Sequence, residues 1–366
     1  MIMLRKKTKK ILKRLHLIFL PFLFALTLTG CGYTNYAIPS QTDSTASKQS
    51  APYDGIKYIS ESTLNTASKA SSGILNPYAT LNVPTDITKI GDLYFIVDCY
   101  HNQIIYHDNL HDPLQKWQVM TSEIKTGHTL ASDGTIYLAD DTGNNRVLIF
   151  EKKSDIFIHT QTFDKIGNKP HYIVYDKATD TFYCWSSFSG EMYLFRHMPD
   201  NTRMYLTEVR RVDQLANRYV RSFTISGNRI YFVSGLPTDG SVIKTASILC
   251  CDLSTFQILA EYPVPDSLAG MASLMPIQDY FYITVSTDLS GSQDAATIIR
   301  THSLTDLSAG KYTDLYQKYF VGGGTPYYLG CIDGTFYLTE HRLQDHAIWQ
   351  FHISDQNTLS DVLSLY

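Results

Sequence analysis

Two histidines, an arginine and a tyrosine stand at matching places in a repeated pattern. The first strands of six units align on the apolar residues Ile87, Leu130, Ile173, Phe223, Leu274 and Leu329; two positions earlier lie Thr85, His128, His171, Arg221, Ala272 and Tyr327. Strand side chains alternate, so a fixed offset from a buried residue puts all six in one layer. Imidazoles, a guanidinium and a phenol together can move protons and hold an anion. A zinc site normally takes at least three protein ligands, so two histidines favour polar side chains solvated at a channel mouth. No catalytic residue, metal or cofactor is assigned from the sequence.

A second set follows the second strands. Tyr100, His101, Trp185, Phe188, His341 and Arg342 should crowd one rim. Aromatic residues and arginine are common anchors of binding interfaces, which makes this rim the preferred contact surface; ordinary rim packing is the competing explanation. Asp98, Asp140 and Glu340 end second strands and are read as equivalent. Carboxylates there usually cap the next turn through backbone N–H groups. The sequence holds no G-x-S-x-G, P-loop, H-E-x-x-H or dinucleotide fingerprint. Gly322-Gly323-Gly324 precedes a strand and reads as a turn between units.

The positioning elements recur from Leu81 onward. Each unit has a first strand, a turn with Asp or Gly, an apolar residue and Tyr in a second strand, a polar loop and a third strand. The repeated tyrosines are Tyr94, Tyr137, Tyr183, Tyr231, Tyr282 and Tyr337, 43 to 55 residues apart. Third strands are expected at Gln103–Tyr106, Arg146–Phe150, Met192–Phe195, Ser247–Asp252, Thr297–Thr301 and Ala347–His352. Outer strands are expected at Lys116–Met120, Phe157–Phe163, Met204–Val209, Gln257–Tyr262, Tyr312–Tyr319 and Asp361–Tyr366. Four short strands at this period define a propeller blade, and no segment keeps a helical apolar period over two turns. The expectation is an all-β, six-bladed β-propeller with four-stranded antiparallel blades over residues 81–366. Either Asp361–Tyr366 or an arm at residues 56–80 completes the ring.

The best-preserved unit, Gly134–Phe150, carries Asp140-Asp141-Thr142-Gly143-Asn144-Asn145-Arg146 before Val147-Leu148-Ile149-Phe150, and resembles the NHL repeat; Asp98–Tyr106 is a fainter copy. The resemblance implies the six-bladed fold and no single activity, since this fold carries enzymes, sensors and scaffolds. Amidating lyases of the NHL type use channel histidines around zinc with Tyr and Arg, and six-bladed lactonases hold a divalent ion with Glu, Asn and Asp. Neither full ligand set is legible here.

The N-terminus reads as an address. Residues 1–30 carry seven basic and no acidic side chains, then the apolar run Leu15–Thr29. Leu28-Thr29-Gly30-Cys31 resembles the lipobox of bacterial lipoproteins. The resemblance implies a signal peptide over 1–30, diacylglycerol (with palmitate-type chains) on Cys31, and a membrane-anchored protein facing the extracytoplasmic side. Two or three acyl chains anchor stably where one is marginal. Residues 31–55 are rich in Ser and Thr and read as a flexible linker, and 56–80 as a partly ordered arm.

The net charge of −4 hides a body at −11 once residues 1–30 are set aside. Such a surface repels nucleic acid, whose binding rests on Lys and Arg. Cys99, Cys184, Cys250, Cys251 and Cys331 are an odd set without a C-x-x-C pair, so no structural disulfide is expected. The reading is a lipid-anchored propeller that binds an extracytoplasmic protein, glycan or small ligand. The alternative is a hydrolase or lyase, metal-dependent or not, at the channel mouth; an assembly scaffold for envelope proteins is a third.

Overall fold

The computed structural model describes residues 63–64, 73–198, 201–237, 245–343 and 345–366. The expected signal peptide, Cys31 and the linker lie outside the described residues. β1 (Thr63–Leu64) and β2 (Ile74–Leu75) precede six four-stranded antiparallel sheets, each made of strands consecutive in sequence.

Blade 1 holds β3 (Pro84–Ile90), β4 (Leu93–Asp98), β5 (Gln103–His107) and β6 (Gln118–Thr121); blade 2 holds β7 (Leu130–Ser132), β8 (Ile136–Asp141), β9 (Arg146–Lys153) and β10 (Ile156–Phe163). Blade 3 holds β11 (Pro170–Asp176), β12 (Thr181–Ser186), β13 (Glu191–His197) and β14 (Met204–Arg211); blade 4 holds β15 (Arg218–Ser226), β16 (Arg229–Pro237), β17 (Ser247–Asp252) and β18 (Ile258–Pro263). Blade 5 holds β19 (Met271–Ile277), β20 (Tyr280–Val285), β21 (Thr297–Thr301) and β22 (Thr313–Asp314); blade 6 holds β23 (Thr325–Ile332), β24 (Thr335–His341), β25 (Ile348–Ile353) and β26 (Leu359–Ser364). The six-bladed β-propeller is therefore the fold.

Alternation along each strand explains the ring. In β4, Phe95 and Val97 pack into the blade 1/2 interface, while Ile96 and the half-buried Tyr94 pack into the blade 6/1 interface. The other interfaces repeat this, giving six apolar clusters for six junctions. Both faces of every sheet are buried, so no blade is stable without its neighbours. Loops leaving second strands, and connections into the next first strand, gather on one end, the rim. The tight turns between first and second strands form the opposite end, the turn face.

The described residues of the arm do not close the ring. β1 adds to the outer edge of blade 2 and β2 to that of blade 1. Closure comes from the C-terminus: the Tyr366 carbonyl accepts from Ala347 N and Ile348 N, its hydroxyl bonds the carbonyls of Leu110 and Asp112, and its ring meets Trp117 edge-on at 6.1 Å.

The expected outer strand Tyr312–Tyr319 is corrected. Only Thr313 and Asp314 pair with β21; α1 (Leu304–Ser308) precedes them and the helical turn α2 (Tyr316–Tyr319) follows. Leu315, Tyr316 and Phe320 bury in the blade 5/6 interface, which a short helix permits and an extended strand would not. Cysteine behaviour is also mixed. Cys99, Cys184, Cys250 and Cys251 are free and buried. Cys331 is disulfide-bonded, which overturns the expectation of no disulfide at that position.

Candidate functional site

The aligned ring assembles at the rim end of the channel, because each of its residues stands at or near the start of a first strand. His128 and His171 stack at 3.8 Å with 26° between planes. His171 Nδ1 lies 2.8 Å from the Arg221 carbonyl, which can only accept, so Nδ1 carries the proton. Nε2 then accepts from the hydroxyls of Tyr219 and Tyr327, both at 3.3 Å. Burial, aided by His128, holds the His171 pKa well below its ordinary value and keeps the ring neutral. Arg221 caps the carbonyls of Gly270 and Met271 at 3.3 and 3.2 Å and covers the Tyr219 ring.

His341 stacks on Tyr327 at 4.6 Å and donates Nε2–H to the Pro84 carbonyl; burial lowers its pKa to about 4. His128 Nδ1 sits 3.0 Å from the Thr142 hydroxyl. The space left among Thr85, His128, Arg221 and Tyr327 is about 10 Å³, room for about one water at most. The ring is thus a plug rather than a solvated mouth. Face-to-face stacking also directs the in-plane nitrogens of the two histidines apart, a poor arrangement for one metal ion. No group of three or more metal-ligating side chains occurs among the described residues.

One residue further in lies a layer that the alignment contained and sequence reasoning passed over: Asp86, Thr129, Tyr172, Ser222, Ser273 and Tyr328. Three of these side chains, those of Asp86, Thr129 and Ser222, satisfy backbone groups of the neighbouring first strand. Asp86 Oδ2 accepts Leu130 N at 3.1 Å, Thr129 Oγ1 accepts Ile173 N at 2.9 Å, and Ser222 Oγ donates to the Ala272 carbonyl at 2.7 Å. Asp86 Oδ1 is buried without a partner, and burial raises the carboxyl to about 7. Its single-residue offset from the aligned ring was the available signal.

The rim residues divide. Tyr100 is 60% exposed and, with His341 and Arg342, lines a cleft of about 380 Å³ where blades 5, 6 and 1 meet. Arg342 takes a left-handed backbone (φ 77°), costly for a long side chain, and gives Nη1 to the Gln293 carbonyl at 3.4 Å. His101 stacks on Tyr78 at 3.6 Å and bonds Asp98 at 2.6 Å, so it supports the rim rather than facing it. Phe188 meets Tyr219 edge-on at 5.3 Å.

Trp185 is a correction. It is fully buried in the blade 3/4 core, because β12 runs on to Ser186 and keeps Trp185 inside the sheet opposite Met192.

The carboxylates are local caps, with one change of register. Asp98 and Asp141 are the equivalent pair: each accepts a backbone N–H from the preceding inter-blade connection at 2.7 Å, from Asn82 and Lys125 respectively. Each is followed by a 3-10 turn ending in a left-handed Asn, Asn102 or Asn145. Asp141 also holds Asn144 and Arg146, which accounts for the NHL-like residues as turn chemistry. Asp140 accepts from the amides of His128 and Thr129 and from the hydroxyls of Thr129 and Thr142. Glu340 takes the Trp349 indole N–H and is raised to about 7 by burial.

No protein-family model and no curated protein matches the chain. Solved structures are similar in fold. A 6-phosphogluconolactonase candidate from Bacteroides uniformis aligns over 78% of this chain and 85% of its own at 13% identity, TM-score 0.52. A second such candidate, from Bacteroides fragilis, aligns over 75% and 80% at 10% identity, TM-score 0.52. Streptogramin B lyase aligns over 80% and 88% at 14% identity, TM-score 0.50. At these identities the similarity concerns the propeller alone.

Proposed function

We propose that the chain is a non-catalytic binding propeller, tethered by lipid on Cys31 to the extracytoplasmic side of a membrane, with its ligand held at the rim. The observation that carries the reading is the cleft of about 380 Å³ with Tyr100 in its wall and His341 and Arg342 beside it. That volume falls within the roughly 300–1,000 Å³ of small-molecule sites. An exposed phenol and a guanidinium suit a ring-bearing acid. The hydrolase or lyase alternative needs ring histidines available to a substrate, whereas His171 spends both nitrogens on protein partners.

Benzoate is the probe for the rim. Saturation-transfer NMR should detect it on the wild type and lose it in Arg342→Ala, with benzylamine giving little signal; equal signals from both probes, or benzoate binding that survives the substitution, count against the site. Elemental analysis of the purified protein, repeated on His128→Ala and His171→Ala, separates the metalloenzyme alternative: stoichiometric metal lost in both variants would favour it.

The anchor is tested in the membrane fraction. Cys31→Ser or globomycin should leave an unprocessed precursor. The thioether consumes the Cys31 sulfur, so the mature protein must carry acyl mass and no bridge through that residue; a bridge without acyl chains overturns the anchor.

A further inference from the structure

The repeat supplies its own control for a second site, inside the channel on the turn-face side of the plug. Thr129 and Ser222 each satisfy a backbone group of the neighbouring first strand with a single hydroxyl. Asp86 does the same work for Leu130 N with Oδ2 alone, at 3.1 Å. Its second oxygen, Oδ1, is buried and has no partner among the described residues. A hydroxyl at this place would therefore serve the fold. The carboxylate adds a charge that burial disfavours, which is why its pKa stands at about 7.

One position after each first-strand anchor, toward the turn face, stand Thr88, Ala131, Val174, Thr224, Met275 and Gly330. Alanine, valine and glycine are too small to fill a channel that histidine, arginine and tyrosine fill at the rim end. A cavity of about 280 Å³ remains, with Asp86, Thr88, Ala131, Val174 and Tyr328 in its wall. Asp86 and Thr88 stand two residues apart on β3, so both point to the same side, about 7 Å apart along the strand. Gly330 fixes the Tyr328 ring: a Cβ there would stand 2.5 Å from Cε1, so the ring lies where only glycine leaves room. Lys89 also lines the cavity, and Asp333 matches its charge at 2.6 Å.

We propose that this chamber binds a neutral polyhydroxylated ring of monosaccharide size. One ring hydroxyl donates to Asp86 Oδ1, a second bonds the Thr88 hydroxyl, and the C–H face of the ring packs on Tyr328. A hydroxyl bonded to a carboxylate is held about twice as strongly as one bonded to a neutral acceptor. A simple cation would meet Asp86 but leave Thr88 and the tyrosine wall unused. The volume lies just under the roughly 300–1,000 Å³ of small-molecule sites, so the chamber admits one ring rather than a chain. The plug closes the rim end, and entry is from the turn face.

The test is saturation-transfer NMR on the full chain in a sugar-free detergent, titrated with D-glucose, D-galactose, D-mannose and tetrahydropyran, a ring without hydroxyls. At least one sugar should bind at a single site, at least about tenfold tighter than tetrahydropyran, roughly the weight of one hydrogen bond to a charged group. Asp86→Thr copies the residue that blade 2 uses, so it should fold, and it should weaken that sugar at least about tenfold. Gly330→Ala keeps the carboxylate, displaces the Tyr328 ring and should weaken the same sugar, which serves if Asp86→Thr does not fold. Arg342→Ala should leave sugar binding unchanged, which separates this site from the rim. No sugar bound, tetrahydropyran bound as tightly, or sugar binding that survives either channel substitution overturns the proposal.

Discussion

His197 of blade 3 closes on Asp133 of blade 2, Nε2 to Oδ2 at 2.6 Å, while its Nδ1 faces the carbonyls of Met198 and Asn201 at 2.8 and 3.0 Å. One ion pair thus fills a junction that isoleucine fills elsewhere in the ring, where Ile90, Ile277 and Ile332 hold the place of Asp133 in their repeats. The Asp133 bond, against the opposing effect of burial, raises His197 to about 9. Burial alone would raise Asp133, but the bond from His197 and the amides of Ile136 and Thr135 hold it below its ordinary value.

That pair sets a pH window. A raised histidine contributes fully below its unfolded pKa of about 6.5, and the contribution fades as pH rises through about 9. A lowered aspartate contributes above its unfolded value near 4 and loses the contribution as pH falls further. His197→Ala should therefore cost about 2 kcal/mol at pH 6 and distinctly less at pH 9.5. Denaturant unfolding at the two pH values checks this; a pH-independent difference would sink the assignment.

Asp86 acts in the opposite sense. Its carboxyl is raised to about 7, chiefly by burial, so the folded state holds the proton more tightly than the unfolded chain. Stability should fall as pH rises from about 4 through 7 on this account. Asp86→Asn keeps an acceptor for Leu130 N and carries no charge to bury. It should match or trail the wild type at pH 4 and exceed it at pH 8, by up to about 4 kcal/mol at roughly 1.4 kcal/mol per pKa unit. Thermal melts that show no gain at pH 8 would refute it.

The channel plug should be structural. His171→Ala removes a stacked ring and leaves the Arg221 carbonyl and two tyrosine hydroxyls without their partner, at a cost of about 2–4 kcal/mol. His171→Phe restores volume and should recover part of that. A solvated histidine at an open mouth would change stability by less than about 0.5 kcal/mol, so the melting temperature alone separates the two pictures.

Ring closure through the C-terminus makes Tyr366 disproportionately important for a terminal residue. Deleting it removes the backbone acceptor of Ala347 and Ile348, two hydroxyl bonds and the Trp117 contact. A loss of about 3 kcal/mol is expected, with faster hydrogen exchange in β26 and β3. Loss confined to local fraying, with no change in global stability, would mean that the blade 6/1 core closes the ring unaided.

Much of the fold was legible because its signals are local. Alternation in Phe95-Ile96-Val97 and the recurring tyrosines state that each strand buries two faces, and a sheet buried on both sides needs neighbours on both sides. β22 was misjudged because the residue types of Leu315, Tyr316 and Phe320 suit a strand as well as a helical turn, and only their burial in one shared interface selects the turn. Trp185 looked like a loop residue only because the second strand was read as ending before it, whereas β12 runs on to Ser186. Asp98 was matched to Asp140 instead of Asp141 by a similar slip of one residue, which in a strand changes the face.

The sequence by itself determined that His128, His171, Arg221 and Tyr327 share a layer, since a constant offset from a buried residue is a property of the strand. Only the tertiary structure decided that they meet. The width of the channel follows from how six blades close, and at that width the side chains fill the space and bond one another.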